Sequence, residues 1–346
     1  MTKIRTVNKI HQFIKKEEVE RLNPLYKYVE EVRNQINSSA SAVYVIQEDR
    51  VIGEWYSGVE PLANQPIEGN SRFNIYSARK SYIGLVVGIL LKERKLDHLD
   101  EYVLNYLEDM DEEICKGITI RHLITHTHGL KLENNKLIKF AAPGSKWDYN
   151  GAGLSLLYKI IMQVTGYNVN QIIRQYVFDP IEFTETGWET THKRSLIADV
   201  FESLEAPKVR LDDDTGFERN LYVSARELAH WGYLNLNKGN IGGKQVLPRD
   251  LFDLTTSIQT PKEMVNTHQN GFFWFMNENS YIDSELGEDV PAKSYQILGA
   301  SGCTCLVIPE YDAVAVRMYN KIGNPIGYDY LRDIKNFGNL VSSLLN

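Results

Sequence analysis

An uninterrupted apolar run at positions 82–91 is the sequence feature that most constrains the fold. As a helix it would be apolar on every side, which is typical of a helix surrounded by protein rather than one lying at a surface. Directly before it stands Ser77-Ala78-Arg79-Lys80, which places a hydroxyl one helical turn ahead of an amine. The sequence therefore predicts a buried helix with Ser77 at its N-terminus.

The spacing of Ser77 and Lys80 is typical of enzymes that form an acyl-serine. A serine hydroxyl is almost inert at neutral pH without a neighbouring base, and side chains at i and i+3 share one face of a helix. Unpaired N–H groups at a helix N-terminus favour negative charge, so this position also suits an oxyanion. The alternative interpretation is that Ser77 is an N-cap residue without a chemical role.

Composition and charge exclude several classes of protein. With 346 residues, 43% of them hydrophobic, the chain can bury a large core. A net charge of -7 with no basic stripe argues against a nucleic-acid partner. We expect a cytoplasmic protein that does not associate with membranes, because neither a signal peptide nor a bilayer-spanning segment is evident. Cys115, Cys303 and Cys305 are predicted to be reduced thiols.

The order of patterns along the chain predicts an α/β fold of the α+β type. An antiparallel sheet is built from both chain ends and flanked by helices, with a mainly helical region inserted between them. The segments behind this prediction are a helix within the first 36 residues, a hairpin of strands 42–46 and 51–56, helical patterns from 77 to about 176, strands 303–308 and 313–318, and a helix over 331–344.

This order also predicts how the chain divides. Residues 1–76 and 205–346 form the α/β sheet region, and residues 77–204 form the mainly helical region. We expect the active site between the two regions.

Tyr149 is a candidate general base. It follows a turn-rich loop and precedes Gly151 and Gly153, so it can approach a ligand closely. Its ordinary pKa is near 10, and an ammonium at Lys80 would favour the phenolate. The alternative interpretation is a half-buried aromatic residue bonded to the backbone.

Residues 298–303 begin the penultimate predicted strand with small side chains, against which a substrate can lie. The backbone N–H of Cys303 is a candidate oxyanion donor. The alternative interpretation is a structural start to the strand, with glycines for a bulge.

Four stretches together resemble the class C β-lactamase-like, penicillin-binding-protein-like serine hydrolases. They are residues 73–80, residues 118–130, Pro143-Gly144 ahead of Tyr149, and residues 298–309. This family includes β-lactamases, D-Ala-D-Ala peptidases, carboxylesterases and the 6-aminohexanoate-oligomer hydrolases, and the resemblance runs from about residue 40 to the C-terminus. It implies a β-lactamase/transpeptidase-like fold and chemistry without metal or cofactor.

The resemblance also implies roles for individual residues. Ser77 is the nucleophile, Lys80 its partner and Tyr149 the general base and acid, while the N–H groups of Ser77 and Cys303 form the oxyanion hole. The family's Tyr-x-Asn motif reads Tyr149-Asn150-Gly151 here, so Asn150 would act from the adjacent position.

The family's Lys-Thr-Gly motif reads Ala300-Ser301-Gly302, in which Ser301 and Gly302 are candidate substrate-binding residues. The missing cation at residue 300 counts against β-lactams and D-Ala-D-Ala peptides. The prediction is therefore a serine hydrolase that acts on small-molecule esters, amides or peptide-like substrates through an acyl-Ser77 intermediate.

Alternative functions are a β-lactamase or D-Ala-D-Ala peptidase-like enzyme, or an inactive penicillin-binding-like protein that holds a ligand without turnover. A zinc site at His122, His126 and His128 is disfavoured because no fourth ligand stands at motif spacing. The sequence indicates neither the natural substrate nor the oligomeric state. Aromatic candidates for the pocket lining are Trp55, Trp147, Trp188 and Trp274.

Overall fold

The structure is a computed structural model that describes residues 13–202, 206–277, 281 and 283–346. Its strands are β1 (Lys15–Lys16), β2 (Ala40–Gln47), β3 (Arg50–Glu60), β4 (Gln65–Pro66), β5 (Arg72–Asn74), β6 (Leu130–Glu133), β7 (Lys136–Lys139), β8 (Thr186–Trp188), β9 (Val200–Phe201), β10 (Leu221–Ser224), β11 (Asn240–Ile241), β12 (Lys244–Gln245), β13 (Phe275–Met276), β14 (Tyr295–Leu298), β15 (Thr304–Ile308), β16 (Ala313–Tyr319) and β17 (Lys321–Ile322). Its α-helices are α1 (Asn23–Gln35), α2 (Lys80–Lys92), α3 (Glu112–Cys115), α4 (Ile120–Ile124), α5 (Ala152–Thr165), α6 (Val169–Ile173), α7 (Ala225–Leu236), α8 (Arg249–Thr255) and α9 (Tyr330–Leu345).

The main sheet joins the two ends of the chain. Its strands run in the order β1-β3-β2-β16-β15-β14-β13, with β4 added beside β3. Strand β2 from the N-terminal part pairs antiparallel with β16 from the C-terminal part, from Ser41 opposite Tyr319 to Gln47 opposite Ala313. The predicted antiparallel sheet built from both chain ends and flanked by helices is confirmed.

Side chains of the sheet alternate between two apolar layers. On β2, Val43 and Val45 join the layer formed with α1 and α9, whereas Tyr44 and Ile46 join the layer that contains α2 and α7. This alternation is the period of two that a pleated strand imposes. Because both faces are covered, the sheet is a rigid platform for the segments at its edge.

Helix α2 is buried along nearly its whole length, as the apolar run predicted. Every residue from Lys80 to Leu90 is buried. Gly84 permits this packing, because a Cβ atom there would lie 2.5 Å from the carbonyl oxygen of Phe272. The helix therefore fixes the position of whatever stands at its N-terminus.

Two local features differ from the sequence-based expectations. The region expected to be mainly helical contains the hairpin β6–β7, whose turn residues Asn134 and Asn135 have φ values of 49° and 61°, as a two-residue hairpin turn with both central residues left-handed requires. Strand β15 begins at Thr304 rather than Cys303, so residues 299–303 form the turn from β14.

The predicted regions themselves stay a prediction. Their boundary at residues 204 and 205 lies outside the described residues, as does the start of the chain up to residue 12. Among the described helices, none is long and apolar enough to cross a membrane.

Candidate active site

Ser77 stands on a 3-10 turn, Tyr76–Arg79, that leads directly into α2. The residue before it, Tyr76, has a φ of 46°, which is uncommon for a residue with a side chain. Two bonds hold this conformation: the Tyr76 N–H donates to Asn74 Oδ1 at 3.0 Å, and the Tyr76 hydroxyl donates to Asp199 Oδ2 at 2.6 Å. Ser77 remains half-buried while Tyr76 and Ala78 are buried. The turn therefore leaves Ser77 partly accessible to solvent.

The structure brings Ser77, Lys80 and Tyr149 together. Lys80 Nζ lies 3.5 Å from the centroid of the Tyr149 ring. The side chain of Ser77 is close enough to Tyr149 to act to lower the Tyr149 pKa. The N-cap positions of the 3-10 turn and of α2 are Ile75 and Arg79, and neither makes a side-chain cap bond. The interpretation of Ser77 as an N-cap is therefore wrong.

Burial sets the charges of this cluster. It lowers the pKa of Lys80 well below its usual value, and the nearby cations of Arg79 and Arg219 lower it further. Burial also raises the pKa of Tyr149, against the opposing effects of the Ser77 side chain and the Arg79 charge. Because 40% of the Tyr149 surface is exposed, solvent limits this rise.

The direction of these shifts corrects one expectation. An ammonium at Lys80 was expected to stabilise a Tyr149 phenolate. In the structure both shifts favour a neutral amine beside a neutral phenol, since both groups lose solvation when charged.

The candidate oxyanion donors lie on the two segments that meet beside Asn74. Among the described residues, neither the Ser77 N–H nor the Cys303 N–H donates to a backbone carbonyl. The turn that carries Cys303 packs closely on the nucleophile segment, because a Cβ atom at Gly299 would lie 2.3 Å from the carbonyl oxygen of Ile75. Their pairing as an oxyanion hole stays a prediction.

The side chains of the same turn face inward. Ser301 is 1% exposed, and its hydroxyl lies 3.0 Å from both the Asn74 carbonyl oxygen and Cys303 Sγ. The thiol of Cys303 is buried, which raises its pKa to about 11. All three cysteines are free, as predicted. Ala300 is exposed and Gly302 is half-buried, so these positions, rather than the Ser301 hydroxyl, are open to a substrate.

Asn150 is occupied within its own loop. Its Nδ2 donates to the Leu130 carbonyl at 2.8 Å and to Asp148, and its Oδ1 accepts from the Ala152 N–H at 2.9 Å. A substrate would have to replace one of these bonds. Its substrate-binding role, like that of Ser301 and Gly302, stays a prediction.

Aromatic rings form a wall around Tyr149. Trp147 stacks on His268 with 3.8 Å between ring centroids, and the Tyr149 centroid lies 6.0 Å from Trp147 and 6.1 Å from Phe275. Of the candidate tryptophans, Trp147 lies at the site. Trp188 and Trp274 are buried, and Trp55 stacks on Tyr26.

His126, one of the three histidines considered above as zinc ligands, packs against the aromatic wall. The ring of His126 lies 4.5 Å from that of Tyr149, and burial lowers its pKa well below the usual value. Burial likewise lowers the pKa of His128 to about 4. In the described part of the chain, no group of three or more His, Cys, Asp or Glu side chains is arranged to hold a metal ion.

Asp199 and Arg219 are functional candidates that the sequence analysis missed. Asp199 anchors Tyr76, and Arg219 lies close enough to influence the pKa of both Lys80 and Tyr149. Neither residue belongs to a motif, and each is more than a hundred residues from Ser77 along the chain.

Comparison with known proteins agrees with this geometry. The beta-lactamase family model matches residues 26–333. The chain belongs to the beta-lactamase family, a family of serine hydrolases. An uncharacterized protein of Alkalihalophilus pseudofirmus is 38% identical over 320 residues, covering 92% of this chain and 94% of that protein. Penicillin-binding protein 4* of Bacillus subtilis is 28% identical over 155 residues, which is 37% of this chain and 33% of that protein.

Solved structures of other proteins share the fold. The class C beta lactamase from Rhodobacter sphaeroides superposes with a TM-score of 0.74 and is 15% identical in sequence. The match covers 94% of this chain and 100% of the beta-lactamase chain. EstCE1, a hydrolase with promiscuous acyltransferase activity, superposes with a TM-score of 0.71 and is 19% identical in sequence. That match covers 91% of this chain and 98% of the EstCE1 chain. The predicted β-lactamase/transpeptidase-like fold is confirmed.

Proposed function

We propose that this beta-lactamase-family protein hydrolyses esters or small amides through an acyl-Ser77 intermediate. The observation that carries the proposal is the position of Lys80 Nζ, 3.5 Å from the Tyr149 ring centroid and one helical turn after Ser77. A hydroxyl beside two titratable groups whose pKa values are shifted by burial is the arrangement that an activated serine requires.

The proposed reaction moves one proton through the Lys80–Tyr149 pair. Ser77 Oγ bonds to the substrate carbonyl carbon as its proton passes to the pair. The N–H groups of Ser77 and Cys303 would stabilise the oxyanion. The leaving group departs with the proton from the pair, and the acyl group remains on Ser77. Water then attacks the acyl-enzyme, releases the acid and restores the Ser77 hydroxyl.

The preference for esters and small amides rests on Ala300. This residue is exposed at the turn where related enzymes have a lysine, according to the sequence resemblance. A methyl group cannot hydrogen-bond a carboxylate or offset its desolvation. We therefore propose that a carboxylate on the leaving-group side of the substrate is disfavoured.

A fluorophosphonate probe and a 4-nitrophenyl ester test the proposal. The wild-type protein should be labelled at Ser77 and should hydrolyse the ester, whereas Ser77→Ala should lose both by several orders of magnitude with its fold intact. Ser343→Ala, at an exposed serine of α9, is the matched control and should behave as wild type. Turnover near the wild-type rate in Ser77→Ala would overturn the proposal.

One observation favours a second candidate, binding without turnover. The polar groups of Asn150 and Ser301 are already engaged within the protein, which leaves fewer free donors for a substrate. Labelling of Ser77 by the probe without ester hydrolysis would support this second function.

A further inference from the structure

Residues 217–221 are fixed across the nucleophile turn by hydrogen bonds at both ends. The Arg79 guanidinium donates to the Phe217 carbonyl at 3.2 and 2.9 Å, and Asn74 Nδ2 donates to the Arg219 carbonyl at 2.8 Å. The Ile75 N–H donates to the Leu221 carbonyl at 3.0 Å. The backbone of Arg219 is therefore placed beside the segment that carries Ser77.

The side chain of Arg219 is exposed and available. Its guanidinium forms no ion pair or hydrogen bond with a described residue, whereas the adjacent Glu218 is paired with Arg210 at 3.6 Å. Its charge still reaches the site, since it contributes to the lowered pKa of Lys80 and opposes the rise in the pKa of Tyr149. Arg219 is thus a cation at the site without a carboxylate partner in the described structure.

A second cation lies beneath it. Arg79 is 4% exposed, and among the described residues it donates only to the carbonyl oxygens of Phe217 and Tyr76. Glu285 is the acidic group that faces Tyr149 from the aromatic wall, and it lies 3.4 Å from His268. The cations Arg79 and Arg219 therefore lie on one side of the site together with Glu218, which is paired with Arg210, whereas Glu285 lies in the aromatic wall.

Arg219 and Ala300 lie on different segments, and both segments contact Asn74. Arg219 is attached to the Asn74 side chain, whereas the turn that carries Ala300 is attached through Ser301 to the Asn74 backbone carbonyl. The sequence resemblance assigns the leaving-group carboxylate to the Ala300 side. The acyl group is the other part of the substrate, and Arg219 is a cation near Ser77 that remains unpaired in the described structure.

We propose that Arg219 binds an anionic group on the acyl part of the substrate, so that the preferred substrates are esters or amides of dicarboxylic or similarly anionic acids. This inference rests on the proposed hydrolase function. A guanidinium suits the task because its planar donors bind a carboxylate in a charge-assisted, bidentate manner.

Matched esters test the proposal. Mono-4-nitrophenyl glutarate carries the anion, and its methyl ester is the neutral control of similar length. In the wild type, kcat/KM should favour the anionic ester by about tenfold or more. Arg219→Gln should remove this preference, so that the ratio of kcat/KM for the two esters falls to about one, mainly through a higher KM for the anionic ester. Arg219→Lys should retain part of it, and Arg249→Gln, at an exposed arginine of α8, should match the wild type.

Two results would overturn the proposal: equal losses on both esters in Arg219→Gln, or no loss on either. A binding measurement keeps the test independent of turnover. Monomethyl glutarate titrated into Ser77→Ala should bind about tenfold more tightly than into Ser77→Ala/Arg219→Gln, and equal affinities would refute the assignment. If the wild type neither hydrolyses an ester nor reacts with the fluorophosphonate, the hydrolase function fails, and the titration still decides the role of Arg219.

Discussion

The Nζ atom of Lys80 lies over the face of the Tyr149 ring, 3.5 Å from its centroid. Burial favours the uncharged form of each group, which leaves the proton of the pair on the phenol. An amine with a phenol holds the same number of protons as an ammonium with a phenolate. The two residues therefore titrate as one unit. Transfer of one proton from the phenol to the amine converts the resting state into the form with a basic phenolate.

Removing either member of this unit should abolish its function. We expect Tyr149→Phe and Lys80→Ala each to lower kcat severely, and the double variant to be little worse than either single one. Steady-state kinetics with a 4-nitrophenyl ester measures this. Losses that multiply in the double variant would show that the two side chains act separately.

The pH dependence of kcat/KM should follow Lys80 on the acid side. Below the lowered pKa of Lys80, the pair holds an ammonium and a phenol and cannot accept the Ser77 proton. The rate should therefore fall as the pH falls through that pKa, which lies well below 10.5. A pH–rate profile of the free enzyme measures it, and an acid limb near the ordinary lysine pKa would contradict the assignment.

Lys80 should also cost stability. Since its pKa is lower in the folded protein than in the unfolded chain, the folded state is destabilised at every pH below the unfolded value. Lys80→Met should raise Tm at about pH 7, with a smaller gain near pH 10.5, where the lysine is partly neutral in both states. Thermal unfolding at both values checks this, with Lys92→Met, at the exposed end of α2, as the control. An equal gain at both pH values would argue against the lowered pKa.

Asp199 is predicted to make stability fall with rising pH. Burial raises its pKa from 3.8 to about 7, so ionising it costs more in the folded protein than in the unfolded chain. As the pH rises from about 4 to about 8, the free energy of unfolding of the wild type should fall relative to that of Asp199→Asn by up to about 4 kcal/mol. Urea denaturation at several pH values measures this, and a pH-independent difference between the two proteins would refute it.

Ala300 offers a test of the leaving-group side. Penicillins and cephalosporins should acylate the wild-type Ser77 slowly. Ala300→Lys should lower the activation free energy of acylation by such substrates by roughly 1–3 kcal/mol. Stopped-flow kinetics with a chromogenic cephalosporin measures the rate of acylation. Ala63→Lys, at an exposed position outside the turn, controls for net charge. Efficient cephalosporin hydrolysis by the wild type would move the assignment to β-lactamase.

Local patterns in the sequence predicted the elements that local geometry determines. The spacing of Ser77 and Lys80 and the buried helix behind them follow from helical periodicity, which depends only on neighbouring residues. The strands at both chain ends follow from alternation in the same way. The hairpin turn at Asn134 and Asn135 also depends only on neighbouring residues, and it contradicts the helical prediction for this region.

The sequence by itself thus determined the helix behind Ser77 and the sheet that supports it, and it predicted Ser77 as the nucleophile. Tertiary structure alone decided which distant side chains surround Ser77: Asp199 beneath Tyr76, Arg219 beside the turn, and Ser301 turned inward to Asn74. It also decided that Lys80 and Tyr149 favour their neutral forms. The physical reason is that desolvation and Coulombic effects sum over atoms from the whole fold, and no spacing along the chain records that sum.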